Sequence, residues 1–170
     1  MKFFLDNNYF FITSKTFESR NYFESYKNRQ IALDQLRKVE IKFQLLFDAY
    51  SILFNHYHLL FYLPKGINLP KIIQVLNGGI SYRIKDVPKP MWQKYCIRNI
   101  STESSFYNVQ GYVLGNPLKH ALVNNIDELE NYSFCNYKEK VKEFGKETID
   151  DLIFNTKNLN WEQEIPYNGH

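Results

Sequence analysis

The sequence predicts an α+β fold: a split β-α-β arrangement with an antiparallel central sheet, followed by a helical extension at the C-terminus. Three observations lead there. Stretches of aromatic and β-branched residues alternate with stretches of helical periodicity in the order β-α-β-β-α-β-α. The run "FQLLFDAYSILFNHYHLLFYLP" is too long for one strand and carries Asn55, a turn residue, at its middle, so it reads as a hairpin. Finally, 44% of the 170 residues are apolar and 17% aromatic, which suffices for one substantial core and excludes disorder.

Taken in order, "NYFFITSKT" is aromatic and β-branched and ends in polar residues, giving a first strand over about 9–14. In "YFESYKNRQIALDQLRKVEIK", Tyr26, Ile31, Leu33, Leu36 and Val39 recur at mostly helical spacing, giving a helix over 22–38. The hairpin strands fall at 43–53 and 56–63, closed by Pro64 and Gly66. A second helix starts near Leu69, with Gly78 and Gly79 marking a kink or its end. "DVPKPMWQKYCIRNI" supplies a proline-containing loop and a last strand near 93–99. Ser101 and Thr102 are candidate N-caps for a helix that runs to a break at Pro117. Beyond about 140 the chain is polar, with one apolar cluster, "IDDLIF", for an appended helix and then a loose end.

Composition narrows the function. No run of about 18 apolar residues exists to span a bilayer, and Asp6, Asn7 and Asn8 interrupt the opening apolar stretch before any cleavage site, so a soluble cytoplasmic protein is expected. Cys96 and Cys135 lack a CxxC spacing and read as buried small hydrophobes. A formal charge of +3 permits an anionic partner without demanding one. Lysines and arginines are dispersed, as on solvated helix faces.

The chemistry concentrates in His56-Tyr57-His58. Successive strand residues point to opposite faces, so His56 and His58 share one face, roughly 7 Å apart at the backbone, where they can grip one ion. A single histidine in an apolar strand is usually a satisfied core residue. Two on one face bury two polar rings, and a divalent cation satisfies both, given at least one further donor.

"FNHYHLLF", followed about fifty residues later by "GYVLGNPLKHALV", resembles the IS200-like tyrosine transposases, most closely their REP-associated branch, which carry a His-hydrophobic-His strand and a Tyr-x-x-x-Asn-Pro helix. "YFFITSK", "MWQKYCIRN" and "ENYSFCNYK" resemble further elements of that family, so the resemblance covers roughly residues 8–138. It implies a ferredoxin-like fold and an HUH-class DNA strand transferase and nuclease. Such an enzyme cleaves and rejoins single-stranded DNA, at hairpin-flanked sites, through a 5′-phosphotyrosine intermediate with Mg²⁺ or Mn²⁺ bound. Tyr112 matches the nucleophile, His56 and His58 the metal-binding pair, and Asn116 the position of a third ligand.

Spacing is consistent with that carry-over: Tyr112 and Asn116, four apart, lie on one helical face. Asn116 also has a plain reading as N-cap of "PLKHALV". His120, eight residues after Tyr112, falls near the same site, although an exposed helical histidine is commoner. Tyr57 is bulkier than the family's residue between the histidines, and Gly115 stands where the family often has a polar residue.

The expected organisation is a transposase domain over 1–138 and an extension over 139–170, in a nucleoid-associated bacterial protein. Its partner is single-stranded DNA bearing hairpins, with no membrane association and with a homodimer compatible. The alternative is a domesticated protein that binds hairpin DNA without catalysis.

Overall fold

A computed structural model of the chain describes residues 6–159. Four strands, β1 (Asn8–Lys15), β2 (Phe47–Ile52), β3 (His56–Leu63) and β4 (Cys96–Ile100), form an antiparallel sheet in the order β2-β3-β1-β4. The helices are α1 (Tyr26–Phe43), α2 (Leu69–Arg83), α3 (Glu103–Lys119), α4 (Tyr137–Phe144) and α5 (Lys146–Thr156). Because β3 pairs antiparallel with both β1 and β2, those two strands run parallel with β3 between them, which is the expected split β-α-β arrangement.

Strand alternation sorts the core into two layers. Phe10, Ile12, Tyr57, Leu59 and Phe61 point to one face, where they meet Leu36 and Val39 of α1 and Ile72, Leu76 and Ile80 of α2. Phe11, Ala49 and Leu60 point to the other, against Val109 and Val113 of α3, with Ile149 and Ile153 of α5 in the same cluster. Each fully buried phenylalanine or leucine contributes about 1.5–3 kcal/mol.

Several boundaries differ from the sequence expectation for local reasons. Helix α1 begins at Tyr26 rather than 22, because Ser25 Oγ accepts the Asn28 N–H at 3.1 Å and so caps the helix there. It also continues to Phe43, and Gln44 at φ 51 turns the chain out, so β2 starts at Phe47 instead of 43. Gly78 and Gly79 neither kink nor end α2. Gly79 is a point of close approach: a Cβ there would lie 2.1 Å from Gln35 Nε2, which donates to the Val75 carbonyl at 3.1 Å.

Helix α3 starts as expected, with Thr102 Oγ1 accepting the Ser105 N–H at 3.1 Å. It does not stop at Pro117. A proline lacks only its own N–H, and the carbonyls of the preceding turn stay available to later residues; the His120 N–H donates to the Asn116 carbonyl at 3.0 Å. Asn116 therefore sits inside α3 and caps nothing. The cysteine expectation is half right: Cys135 is buried, and burial pushes its thiol up to about 12, whereas Cys96 on edge strand β4 is only partly covered.

After α3, residues 130–138 seal the β2 edge. Asn136 Oδ1 accepts the Tyr50 N–H at 2.8 Å, the Ile52 N–H donates to the Phe134 carbonyl at 2.8 Å, and the Tyr132 hydroxyl donates to the Ile52 carbonyl at 2.7 Å. Residue 139, where the extension is expected to begin, falls in the first turn of α4. Gly145, at φ 87, makes the corner between α4 and α5, so the tail holds two helices where one is expected. The expected loose end, 160–170, lies outside the described residues. No helix among the described residues is long and apolar enough to cross a membrane.

Candidate active site

His56 opens β3 and His58 follows two residues on, so both imidazoles rise from the sheet face that α3 covers. Tyr57 between them points through the opposite face, where its hydroxyl donates to Asn77 Oδ1 of α2 at 2.8 Å. Burial there raises its pKa. Its bulk is thus absorbed by the α1/α2 layer and does not crowd the histidines.

The two histidine rings lie 4.8 Å apart, centroid to centroid, at an interplanar angle of 79°. Each Nδ1 has a partner from a neighbouring segment. Asn55 Nδ2 donates to the Ser19 carbonyl at 3.0 Å, which turns Asn55 Oδ1 toward His56 Nδ1 at 2.6 Å. An amide oxygen only accepts, so His56 Nδ1 donates, and in the neutral ring Nε2 then carries the lone pair. His58 Nδ1 meets Thr13 Oγ1 at 2.9 Å, across the β1–β3 register that sets Thr13 opposite His58. Metal-binding histidines typically have one ring nitrogen held in this way.

Above the pair, α3 presents Tyr112 and Asn116 one turn apart, and its C-cap, His120, follows. The Tyr112 ring stands edge-on to His58 at 5.4 Å, and the His120 ring stands edge-on to His56 at 5.0 Å. Asn116 lies on the same helical face between them, fully buried. Its Nδ2 donates to the Tyr112 carbonyl at 3.0 Å, and its Oδ1 accepts no hydrogen bond among the described residues. A buried amide oxygen left in this way costs about 1–3 kcal/mol, so it is suited to an electropositive partner. The four residues predicted from the sequence therefore come together within one chain, with His120 added.

Among the described residues, no cluster of three His, Cys, Asp or Glu side chains is placed to hold a metal. The available donors are two imidazoles and one amide oxygen, a set without a negative charge. The orphaned Asn116 Oδ1 and the held Nδ1 atoms fit a divalent cation that completes its shell with phosphate or water oxygens.

Tyr112 is only 3% exposed, and its hydroxyl is buried, so it does not stand open to a strand in this conformation. Lys119 Nζ lies 4.8 Å from the centre of its ring. A cavity of about 90 Å³ between α3 and α5 is lined by Tyr112, Lys119, Ile153 and Lys157. Gly111 and Gly115 let α5 approach there: a Cβ on Gly111 would lie 2.4 Å from the Leu152 carbonyl oxygen, and one on Gly115 2.8 Å from Ile153 Cγ2. A polar side chain at 115 would not fit, which accounts for the glycine.

Sequence reasoning missed Thr13 and the second role of Asn55, because strand register and the fold of residues 16–20 decide which partners reach the imidazoles.

Fold and site together define a class: a split β-α-β protein with a histidine pair on the sheet and a tyrosine helix laid over it. No family model matches the chain, and no curated protein does. Among solved structures, the chain is similar to a REP-associated tyrosine transposase bound to a REP hairpin, at 17% identity, with a TM-score of 0.72 over 84% of each chain. It is also similar to a candidate transposase from Deinococcus radiodurans R1, at 17% identity, with a TM-score of 0.41 over 66% of this chain and 93% of that one. The first likeness establishes that this chain has the fold of a REP-associated tyrosine transposase.

Proposed function

We propose that the chain is a metal-dependent transposase and endonuclease of the tyrosine HUH class, which cleaves and rejoins single-stranded DNA through a 5′-phosphotyrosine intermediate. The observation that carries this reading is the Tyr112 ring 5.4 Å from His58, with His56 beside it and the unsatisfied Asn116 Oδ1 one turn on. Shared fold with a transposase solved on a REP hairpin supports hairpin-bearing DNA as the partner.

His56 and His58, through Nε2, and Asn116, through Oδ1, would hold the ion. When bound, Mg²⁺ or Mn²⁺ supplies charge neutralisation at a phosphate oxygen. Tyr112 Oη attacks phosphorus, the bond to the 3′-oxygen breaks, the phenolic proton leaves to solvent, and the departing oxygen takes up a proton to give a free 3′-hydroxyl. A phenol has an ordinary pKa near 10, so the reaction relies on position and on charge neutralisation more than on a strong nucleophile. Because the Tyr112 hydroxyl is buried, docking of the strand must uncover it.

The test is direct. Hairpin-flanked single-stranded oligonucleotides with Mn²⁺ should give a covalent adduct resistant to denaturing electrophoresis, and Tyr112→Phe should give none. Equal adduct from the phenylalanine variant overturns the assignment. Tight hairpin binding with no cleavage of any oligonucleotide instead identifies a non-catalytic hairpin-binding protein.

A further inference from the structure

A cavity of about 40 Å³ opens beside His56 and is lined by Thr13, Lys15, His56, Gln93, Lys94 and Cys96. It lies between the end of β1, the start of β3 and the segment that leads into β4. Among the described residues its lining includes the Lys15 ammonium group and no carboxylate. The space suffices for small oxygen atoms.

Lys15 is set there by the fold. It stands opposite His56 in the β1–β3 register, so both side chains rise from the same sheet face. Its backbone is held from two sides: the Gln93 N–H donates to the Lys15 carbonyl at 3.0 Å, and the Thr16 N–H donates to the Asn55 carbonyl at 2.8 Å. Among the described residues no carboxylate lies within ion-pair distance of Lys15.

A lysine opposite His56 repels any metal cation bound at the histidine pair. Such a placement favours the filled site only if an anion arrives with, or before, the metal. We infer that Lys15 forms an oxyanion subsite for a DNA phosphodiester at the histidine pair, holding a non-bridging oxygen on the side of β1. This inference rests on the reading of DNA as substrate, and it assigns to Lys15 contact with substrate, separate from the metal ligands.

Three variants test it: Lys15→Gln, Lys15→Arg as rescue, and Lys85→Gln as a remote control, each checked for an unchanged melting temperature. Affinity for a hairpin-bearing single-stranded oligonucleotide is measured in EDTA between about 50 and 200 mM salt. Loss of one phosphate contact should weaken binding about tenfold at low salt and flatten the slope of log K against log salt by about 0.7, with Arg restoring both and the control changing neither. Mn²⁺ binding without DNA, followed by electron paramagnetic resonance, should tighten in Lys15→Gln, the opposite sign, which a purely structural lysine would not produce. An unchanged salt slope in Lys15→Gln overturns the inference while leaving the proposed reaction standing. Wild type that shows the Lys15 effect yet never cleaves supports the subsite and overturns strand transfer. Wild type that binds no oligonucleotide overturns both.

Discussion

The rings of His58 and Tyr112 meet edge to face, 5.4 Å between centroids at 66°, although one belongs to a central strand and the other to the helix laid across it. The contact is fixed from below by Thr13 and from the side by Phe11, whose ring stacks on His58 at 5.5 Å and meets Tyr112 at 6.1 Å. A histidine, a threonine and two aromatics from three elements thus set one geometry, and each can be perturbed alone.

Thr13→Val removes the hydroxyl from His58 Nδ1 and nearly keeps the volume. Loss of such an orienting hydrogen bond is expected to weaken Mn²⁺ binding about 10- to 100-fold, with the melting temperature moving by only a few degrees. Titration calorimetry of the variant with Mn²⁺ checks this. Unaltered affinity would show that the bond does not orient a ligand.

Asn116→Asp places a carboxylate at a fully buried position. In EDTA the melting temperature should drop by about 5–10 °C, more at pH 8 than at pH 5, because burial disfavours the charged form. Mn²⁺ should recover most of the loss. Scanning calorimetry with and without Mn²⁺ reads both arms; a loss that Mn²⁺ does not touch means that residue 116 does not face the ion.

Glycines separate two backbone demands. Gly78 lies in α2, and a Cβ added there would meet nothing within 4 Å, so Gly78→Ala should stabilise the chain by about 0.5–1 kcal/mol through helix propensity. Gly111→Ala meets the Leu152 carbonyl oxygen at 2.4 Å and forces α5 away from α3, at a cost of about 1–3 kcal/mol. Urea denaturation of the two variants should therefore move in opposite directions.

Asp48 sits half-buried at the β2 bulge, and desolvation raises its pKa against the pull of Lys140. The folded chain then holds the proton more tightly than the unfolded chain does. Stability falls as pH rises from the ordinary 3.8 through the raised value, and the penalty persists above it. Asp48→Asn should raise the melting temperature by about 2 °C at pH 7, with the gain vanishing below pH 3.8. Melting curves across that range give the sign directly.

Much of the candidate site was legible locally. Period-two alternation puts His56 and His58 on one face in any strand, and four-residue spacing puts Tyr112 and Asn116 on one face in any helix. Asn55 marked the hairpin turn, and β3 has the expected bounds. Caps were less legible: Ser25 and Gln44 displaced both ends of α1, because a side-chain oxygen three residues from an N–H and a left-handed φ decide a terminus that periodicity only approximates.

Sequence alone thus determined the order of the elements and which polar side chains share a face, since both follow from backbone periodicity within one element. Tertiary structure decided everything that joins elements. The β1–β3 register brought Thr13 to His58 and Lys15 to His56. The glycine face of α3 admitted α5 over Tyr112, and α3 crossed its own chain's sheet to set Tyr112 against His58. Register and helix docking are settled by how two apolar surfaces interlock, and that complementarity belongs to pairs of elements distant in sequence, so no local pattern encodes it.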